Sequence, residues 1–372
     1  MSAETDSNKI EHKEHFHGSD LEKIEKIYGI KKEDIISFSA NVNPLGISYK
    51  LKKELASHID AITSYPDREY TSLRKCIAKY AGTDYTSVLV GNGSTELISL
   101  VIQIKKPSKA LIVGPTYSEY EHEVALGGGR SHYFRLREKD DFKLDIEGLE
   151  NALTSDIDLL VICNPNNPTS SQIDRSSMRR ILDACKEKGI FVMVDETYIE
   201  FTNMSIYSST SLVDKYKNLF VIRGTSKFFS TPGIRLGYGL ISNNKIKCEM
   251  NSNLDLWNIN IFASMMGEVM FNDSEFIEST YSLMTKERDY LINELSKFAD
   301  LKIYNSQGNF ILCEIQSKSL TAKEVREKLI PERIIIRDCV SFDGLDEYFF
   351  RVCILKPEEN KLLVENLKKI FK

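Results

Sequence analysis

Six short segments between residues 87 and 241 are apolar at consecutive positions instead of alternate ones. They are Ser87–Val90, Lys109–Val113, Asp158–Cys163, Ile190–Val194, Asn218–Ile222 and Leu236–Ile241, all rich in Val, Ile and Leu. A strand that is apolar on both faces must be covered on both, and such strands belong in mostly parallel sheets sandwiched by helices. Amphipathic stretches fill the intervals, and Thr95–Ile104 and Ser176–Lys188 are predicted helices. The chain is therefore predicted to be α/β, with a large domain built on a mostly parallel central sheet.

The texture changes near residue 270. A long helical pattern, Asp273–Phe298, leads to predicted strands at Leu301–Tyr304, Phe310–Ile315, Ile334–Arg337 and Tyr348–Ile354, then a closing helix at Glu358–Phe371. This predicts a smaller α+β domain over 271–372, following a large domain over 46–270. Residues 1–45 are expected to form an N-terminal arm and a segment of the substrate pocket, with the polar stretch from 1 to about 15 a loose arm.

Composition narrows the function classes. The 372 residues are 42% hydrophobic and 28% charged, ordinary for a soluble globular enzyme. A net charge of -5 argues against nucleic-acid binding, which needs a basic face. The polar start lacks a signal peptide's apolar core, and no run approaches the roughly 18 apolar residues of a membrane span. The seven cysteines are scattered and never form C-x-x-C, so no metal site or disulfide framework is expected. A cytoplasmic enzyme, with no membrane or nucleic-acid partner, is the expectation.

Chemically suggestive residues cluster just after the apolar segments, where open α/β sheets bind ligands. Gly91-Asn-Gly-Ser-Thr-Glu96 follows one strand and opens a helix; Gly93, Ser94 and Thr95 suit a phosphate, although Ser94 also reads as a plain N-cap. Tyr117, in Pro115-Thr-Tyr117, suits stacking on a flat heterocycle or ordinary packing. Asn167, in Asn164-Pro-Asn-Asn-Pro-Thr169, sits in a turn and suits a phenolic oxygen. Asp195, in Asp195-Glu-Thr-Tyr198, suits either a cap or a protonated pyridine nitrogen. Ser226-Lys227 follows the next strand, with Arg235 eight positions on. An isolated loop lysine is normally a solvated charge; one among cations is a candidate Schiff-base amine, and Arg235 a candidate phosphate ligand. Together these supply every group that pyridoxal phosphate (PLP) requires.

In these motifs the chain resembles the fold-type I PLP enzymes, the aspartate-aminotransferase superfamily, over nearly its whole length after residue 15. Within that superfamily it is similar to the branch of histidinol-phosphate aminotransferase and L-threonine-O-3-phosphate decarboxylase. The resemblance implies that Lys227 forms the internal aldimine and then acts as the base at the substrate Cα. It implies Ser94, Thr95, Ser226 and Arg235 on the cofactor phosphate, Tyr117 on the ring, Asp195 on the pyridine nitrogen, and Asn167 and Tyr198 on the phenolic oxygen. Tyr65, in Ser64-Tyr-Pro-Asp67, would reach the phosphate from a neighbouring subunit, so a homodimer with shared sites is implied. Arg351 would clamp the substrate carboxylate, with Asn41, Gly46 and Arg337 lining the pocket. His17 reads either as a contact to a substrate phosphate or as a solvated arm histidine, and Arg337 as the better candidate for that phosphate or as a structural ion pair. One departure stands out: Gly224 replaces the Ser or Thr usual three residues before the lysine, and Thr225 is a candidate to compensate.

Phe38-Ser-Ala-Asn-Val-Asn-Pro-Leu-Gly46 and Arg337-Asp-Cys339 look like the decarboxylase side, whereas Tyr198 looks like the aminotransferase side. The resulting expectation is a PLP-dependent aminotransferase acting on a small phosphorylated L-amino acid or amino alcohol, with a 2-oxo acid as the candidate acceptor. Threonine-phosphate decarboxylation is the alternative. A non-catalytic PLP-binding regulator is the remote one, because the chain has no spare length for a DNA-binding domain.

Overall fold

The computed structural model describes residues 21–371. It begins with a helix, Leu21–Tyr28, and a two-residue strand, β1 (Ile36–Ser37). Seven strands then build the large sheet: β2 (Val88–Asn92), β3 (Lys109–Gly114), β4 (Arg130–Arg135), β5 (Leu159–Cys163), β6 (Phe191–Asp195), β7 (Leu219–Gly224) and β8 (Leu236–Leu240). Their order is β2-β8-β7-β6-β5-β3-β4. Every pairing is parallel except the two made by β8, which therefore runs against the other six.

Both faces of this sheet are buried, as consecutive apolar residues require. Leu160 and Ile162 of β5 join one hydrophobic cluster, whereas Leu159 and Val161 join the cluster on the other face. All four are fully buried. The predicted helices are present as Ser94–Lys105 and Arg175–Glu187. The second is capped by the Asp174 carboxylate, which accepts from the N–H groups of Ser176 (2.8 Å) and Ser177 (2.9 Å). β4 had no counterpart among the expected strands. It is Arg-Ser-His-Tyr-Phe-Arg, with exposed and half-buried residues, and it pairs only with β3 at the sheet edge. An edge strand carries little apolar signal.

The C-terminal part opens with the helix Ser274–Leu295 and holds β9 (Leu301–Ile303), β10 (Phe310–Ile315), β11 (Ile334–Ile335), β12 (Arg337–Asp338) and β13 (Phe349–Cys353). A four-stranded antiparallel sheet runs β12-β13-β10-β9. The single strand expected over 334–337 is broken at Ile336: β11 turns away to pair in parallel with β1. Phe38 completes this clip, donating to the Ile335 carbonyl (2.8 Å) and accepting from the Cys353 N–H (2.8 Å). Further along, the Asn43 N–H donates to the Lys227 carbonyl (3.0 Å), tying the N-terminal segment to the residues after β7. No helix among the described residues is long and apolar enough to cross a membrane.

A buried polar cluster lies close to the ends of β6 and β7. Arg223 donates through Nε (3.0 Å) and Nη2 (2.8 Å) to Oε2 of Glu196, and also to the hydroxyls of Ser208 (2.7 Å) and Thr210 (2.8 Å). Glu200 is a second buried carboxyl nearby, with no hydrogen bond from another described residue. Burial raises its pKa from 4.5 to about 7, against the opposing pull of Arg223. The folded state therefore binds a proton that the unfolded state has released, and stability falls as pH rises from 4.5 to about 7. Glu200→Gln is expected to stabilise the protein by on the order of 1–3 kcal/mol at pH 8 and much less at pH 4.5. Thermal melts at the two pH values check this; a larger gain at the acidic one would contradict it.

Candidate active site

The C-terminal ends of β2, β3, β5, β6 and β7, with the residues following them, meet β12, β13 and the Ser39–Ala40 segment around a cavity of about 280 Å³. At one end, the loop after β2 is shaped by Gly93, at φ +82°. That backbone conformation favours glycine, and a Cβ there would come within 2.3 Å of Arg235 Nη2 and push the guanidinium aside. The helix starting at Ser94 opens immediately after it. Glu96 steadies the turn by accepting from the Asn92 N–H (2.7 Å) and from Asn258 Nδ2 (2.9 Å). Ser94, Thr95, Ser226 and Arg235 all line this end. Hydroxyls, a helix start and a guanidinium are groups that suit an anion.

Gly224 faces the same corner, with its ideal Cβ position 3.3 Å from Ser94 Oγ. Thr225 does not replace the missing hydroxyl. It is fully buried and away from the cavity, donating to the Leu236 carbonyl (3.1 Å) and accepting from Thr231 (3.0 Å).

The other end holds the Asp195 carboxylate. Oδ1 accepts from the Thr197 N–H (2.9 Å) and hydroxyl (2.6 Å), and Oδ2 accepts from the Tyr120 hydroxyl (2.6 Å). Burial raises the Asp195 pKa, and these donors oppose the rise. Tyr117 lines the cavity and meets Tyr120 edge-on (5.6 Å, 87°). Tyr198 packs edge-on against Phe310 (5.0 Å) and is pushed up to about 12, chiefly by burial.

Lys227 follows β7 and donates from Nζ to the Ala40 carbonyl (2.9 Å). Its pKa is lowered to about 8, first by burial and then by the Arg351 guanidinium. Arg351, 4% exposed, donates to Asn167 Oδ1 and to the Ser39 carbonyl (2.8 Å), and lies over the Phe310 ring (5.2 Å). Arg337 sits opposite Arg351 in register between β12 and β13. It donates to Ser341 Oγ (2.9 Å) and covers the Phe342 ring (5.5 Å).

The cavity thus gathers Ser94, Thr95, Tyr117, Asn167, Asp195, Tyr198, Ser226, Lys227, Arg235, Arg337 and Arg351. Gly93 lies against Arg235 beneath it. Asn41 is buried beside Tyr198 without lining the cavity, and its carbonyl accepts from Asn309 (2.7 Å). Gly46 is a left-handed turn residue (φ +70°) off the cavity. Tyr65 is 76% exposed and stacks on Trp257 (4.5 Å) away from the cavity of its own chain. His17 lies outside the described residues. Sequence reasoning missed Tyr120, Thr197, Ser39, Ala40, Ser341 and Phe342. Only Tyr120 carried a usable signal, three residues after Tyr117. No group of three metal-ligating side chains occurs among the described residues.

Residues 33–367 match the family described as aminotransferase class I and II. Threonine-phosphate decarboxylase of Salmonella typhimurium is 32% identical over 355 residues, covering 95% of this chain and 96% of the relative. The crystal structure of histidinol-phosphate aminotransferase from Clostridium acetobutylicum superimposes with a TM-score of 0.85 at 33% identity, over 90% of this chain and 98% of that one. Histidinol-phosphate aminotransferase from Sinorhizobium meliloti, solved in complex with pyridoxal-5'-phosphate, shares the fold with a TM-score of 0.83 at 19% identity, over 94% of this chain and 95% of that one. The architecture is that of the fold-type I aminotransferases, and the chain belongs to the class I and II aminotransferase family of PLP-dependent enzymes.

Proposed function

We propose that this protein is a PLP-dependent aminotransferase acting on a small phosphorylated L-amino acid or amino alcohol, with its cofactor carried on Lys227. The observation that carries the proposal is the Lys227 amine. It is buried, depressed to about 8 and open to the same cavity as an acid, Asp195, and a phosphate-type cradle at Arg235. The cavity residues fit a flat, anionic, basic-nitrogen heterocycle. Ser94, Thr95, Ser226 and Arg235 would hold its phosphate, and Tyr117 would cover the ring. Asp195 would meet the ring nitrogen, and Asn167 and Tyr198 the phenolic oxygen.

When bound, PLP supplies an electron sink for the carbon bearing the substrate nitrogen. The chain supplies the rest. With a pKa near 8, Lys227 holds a useful fraction of neutral amine at neutral pH, so its Nζ is able both to attach the cofactor and to take a proton from the substrate Cα. Arg351 is a fork for a carboxylate, and Arg337 a second cation for a phosphate. Tyr198 favours transamination, since tyrosine at this place in Asp-x-x-Tyr resembles the aminotransferase form.

Decarboxylation is the second reading. Two buried guanidiniums facing across neighbouring strands suit a substrate bearing both a carboxylate and a phosphate, as threonine phosphate does. The exposed Tyr65–Trp257 pair suits a homodimer in which Tyr65 enters the partner subunit's site. Sedimentation should then give twice the 42.5 kDa chain mass.

The deciding experiment incubates the holoenzyme with threonine phosphate alone, and with histidinol phosphate plus 2-oxoglutarate. Glutamate formation supports transamination, and carbon dioxide from threonine phosphate supports decarboxylation. Cofactor binding with neither product, across phosphorylated amino compounds, would contradict both and leave a PLP-binding regulator.

A further inference from the structure

Asp195 is the only carboxylate among the described residues lining the cavity. In the proposed function it faces the cofactor's ring nitrogen, so whatever keeps it ionised and aimed acts on the chemistry at one remove. Two of its three donors come from Thr197, two residues further along, and any chain making this turn brings the Thr197 N–H to Oδ1. Tyr120 is different. It comes from a separate helix, Glu119–Leu126, at a sequence separation of 75, and delivers its hydroxyl to Oδ2, which accepts from neither Thr197 donor. The side chain is 1% exposed, and burial together with Asp195 holds its pKa well above the usual phenol range, so it stays a donor. Packing alone would be met by phenylalanine; the hydroxyl donates to the carboxylate, beside the buried Cys163 thiol. The ring also abuts Tyr117, so one short stretch fixes both a wall of the cavity and the orientation of its acid.

We propose that Tyr120 is a positioning residue for Asp195: its hydroxyl holds the carboxylate charged and in a single orientation, and thereby secures the protonated ring nitrogen of the bound cofactor. This rests on the assignment of Asp195 in the proposed function.

The test crosses Tyr120→Phe with a cofactor analogue whose ring nitrogen is replaced by carbon. Both apoproteins are titrated with PLP and with the analogue, following the absorbance of the bound cofactor, and kcat and KM are measured with PLP. A hydrogen bond to a charged group predicts that the variant binds PLP about tenfold more weakly. It also predicts a kcat lower by about tenfold to a hundredfold, with KM for the amino substrate within about threefold. The analogue has no nitrogen for Asp195 to meet, so wild type and variant should bind it within about twofold of each other. Equal weakening toward PLP and the analogue would overturn the proposal, because Tyr120 would then serve packing alone. Unchanged PLP affinity and kcat would also overturn it. If wild type binds PLP and the analogue equally tightly, Asp195 does not meet the ring nitrogen, and the underlying assignment fails independently of Tyr120. The substitution keeps the ring and its contact with Tyr117, and a melt of each apoprotein verifies that both are folded.

Discussion

Replacing Lys227 with alanine is expected to lower kcat by at least about 10³-fold while leaving the protein folded. General-base catalysis alone is worth roughly 10²–10⁴, and the same amine is the proposed covalent anchor. The structural cost should be small, because the amine makes a single hydrogen bond to a carbonyl, that of Ala40, at the wall of the cavity. Lys227→Arg separates charge from chemistry. It keeps the cation but offers no neutral amine at any working pH, so it should be as inactive as the alanine variant. Steady-state kinetics with a thermal melt of each variant checks this. Activity within tenfold of wild type in either would contradict the role of the amine.

Arg351→Ala is expected to raise KM for a carboxylate-bearing substrate by about a hundredfold or more, with PLP affinity falling by less than about tenfold. A buried fork paired to a carboxylate is worth on the order of 2–5 kcal/mol on truncation. The PLP effect is smaller because Arg351 is not itself placed on the cofactor: it fixes Oδ1 of Asn167, one of the proposed cofactor ligands. A second consequence follows from its charge. Arg351 is the next cause after burial of the lowered Lys227 pKa, so its removal should move that pKa upward from about 8. The apoprotein's amine would then need a more alkaline pH to react with PLP. Substrate KM, PLP titration and the pH dependence of PLP attachment are the measurements. Equal losses for substrate and cofactor would mean that Arg351 belongs to the cofactor site.

Much of the fold was legible in the sequence because the central strands are buried on both faces, which leaves unbroken apolar runs such as Leu159–Cys163. The edge strand β4 was not, because half of its surface meets water and its residues are mixed. The break at Ile336 was equally invisible. It depends on β11 finding β1, some 300 residues earlier in the chain, and local pattern holds no record of so distant a partner. The site shows the same division. Asp195 ends β6, Asn167 and Lys227 follow β5 and β7 within four residues, and Arg235 directly precedes the antiparallel β8, all at the edge where topology puts ligand contacts. Ala40 and Ser39 act through carbonyl oxygens, which no side-chain pattern announces. Thr225 is no substitute at Gly224 for an equally non-local reason: its hydroxyl is held by Leu236 and Thr231.

One lysine among the many on this chain carries the proposed chemistry. The purified protein, loaded with PLP, should be reduced with borohydride, digested and mapped for the modified peptide. A single label on Lys227, lost in Lys227→Arg, is the predicted result. A label on any other lysine, or none on a protein that binds PLP, would contradict it.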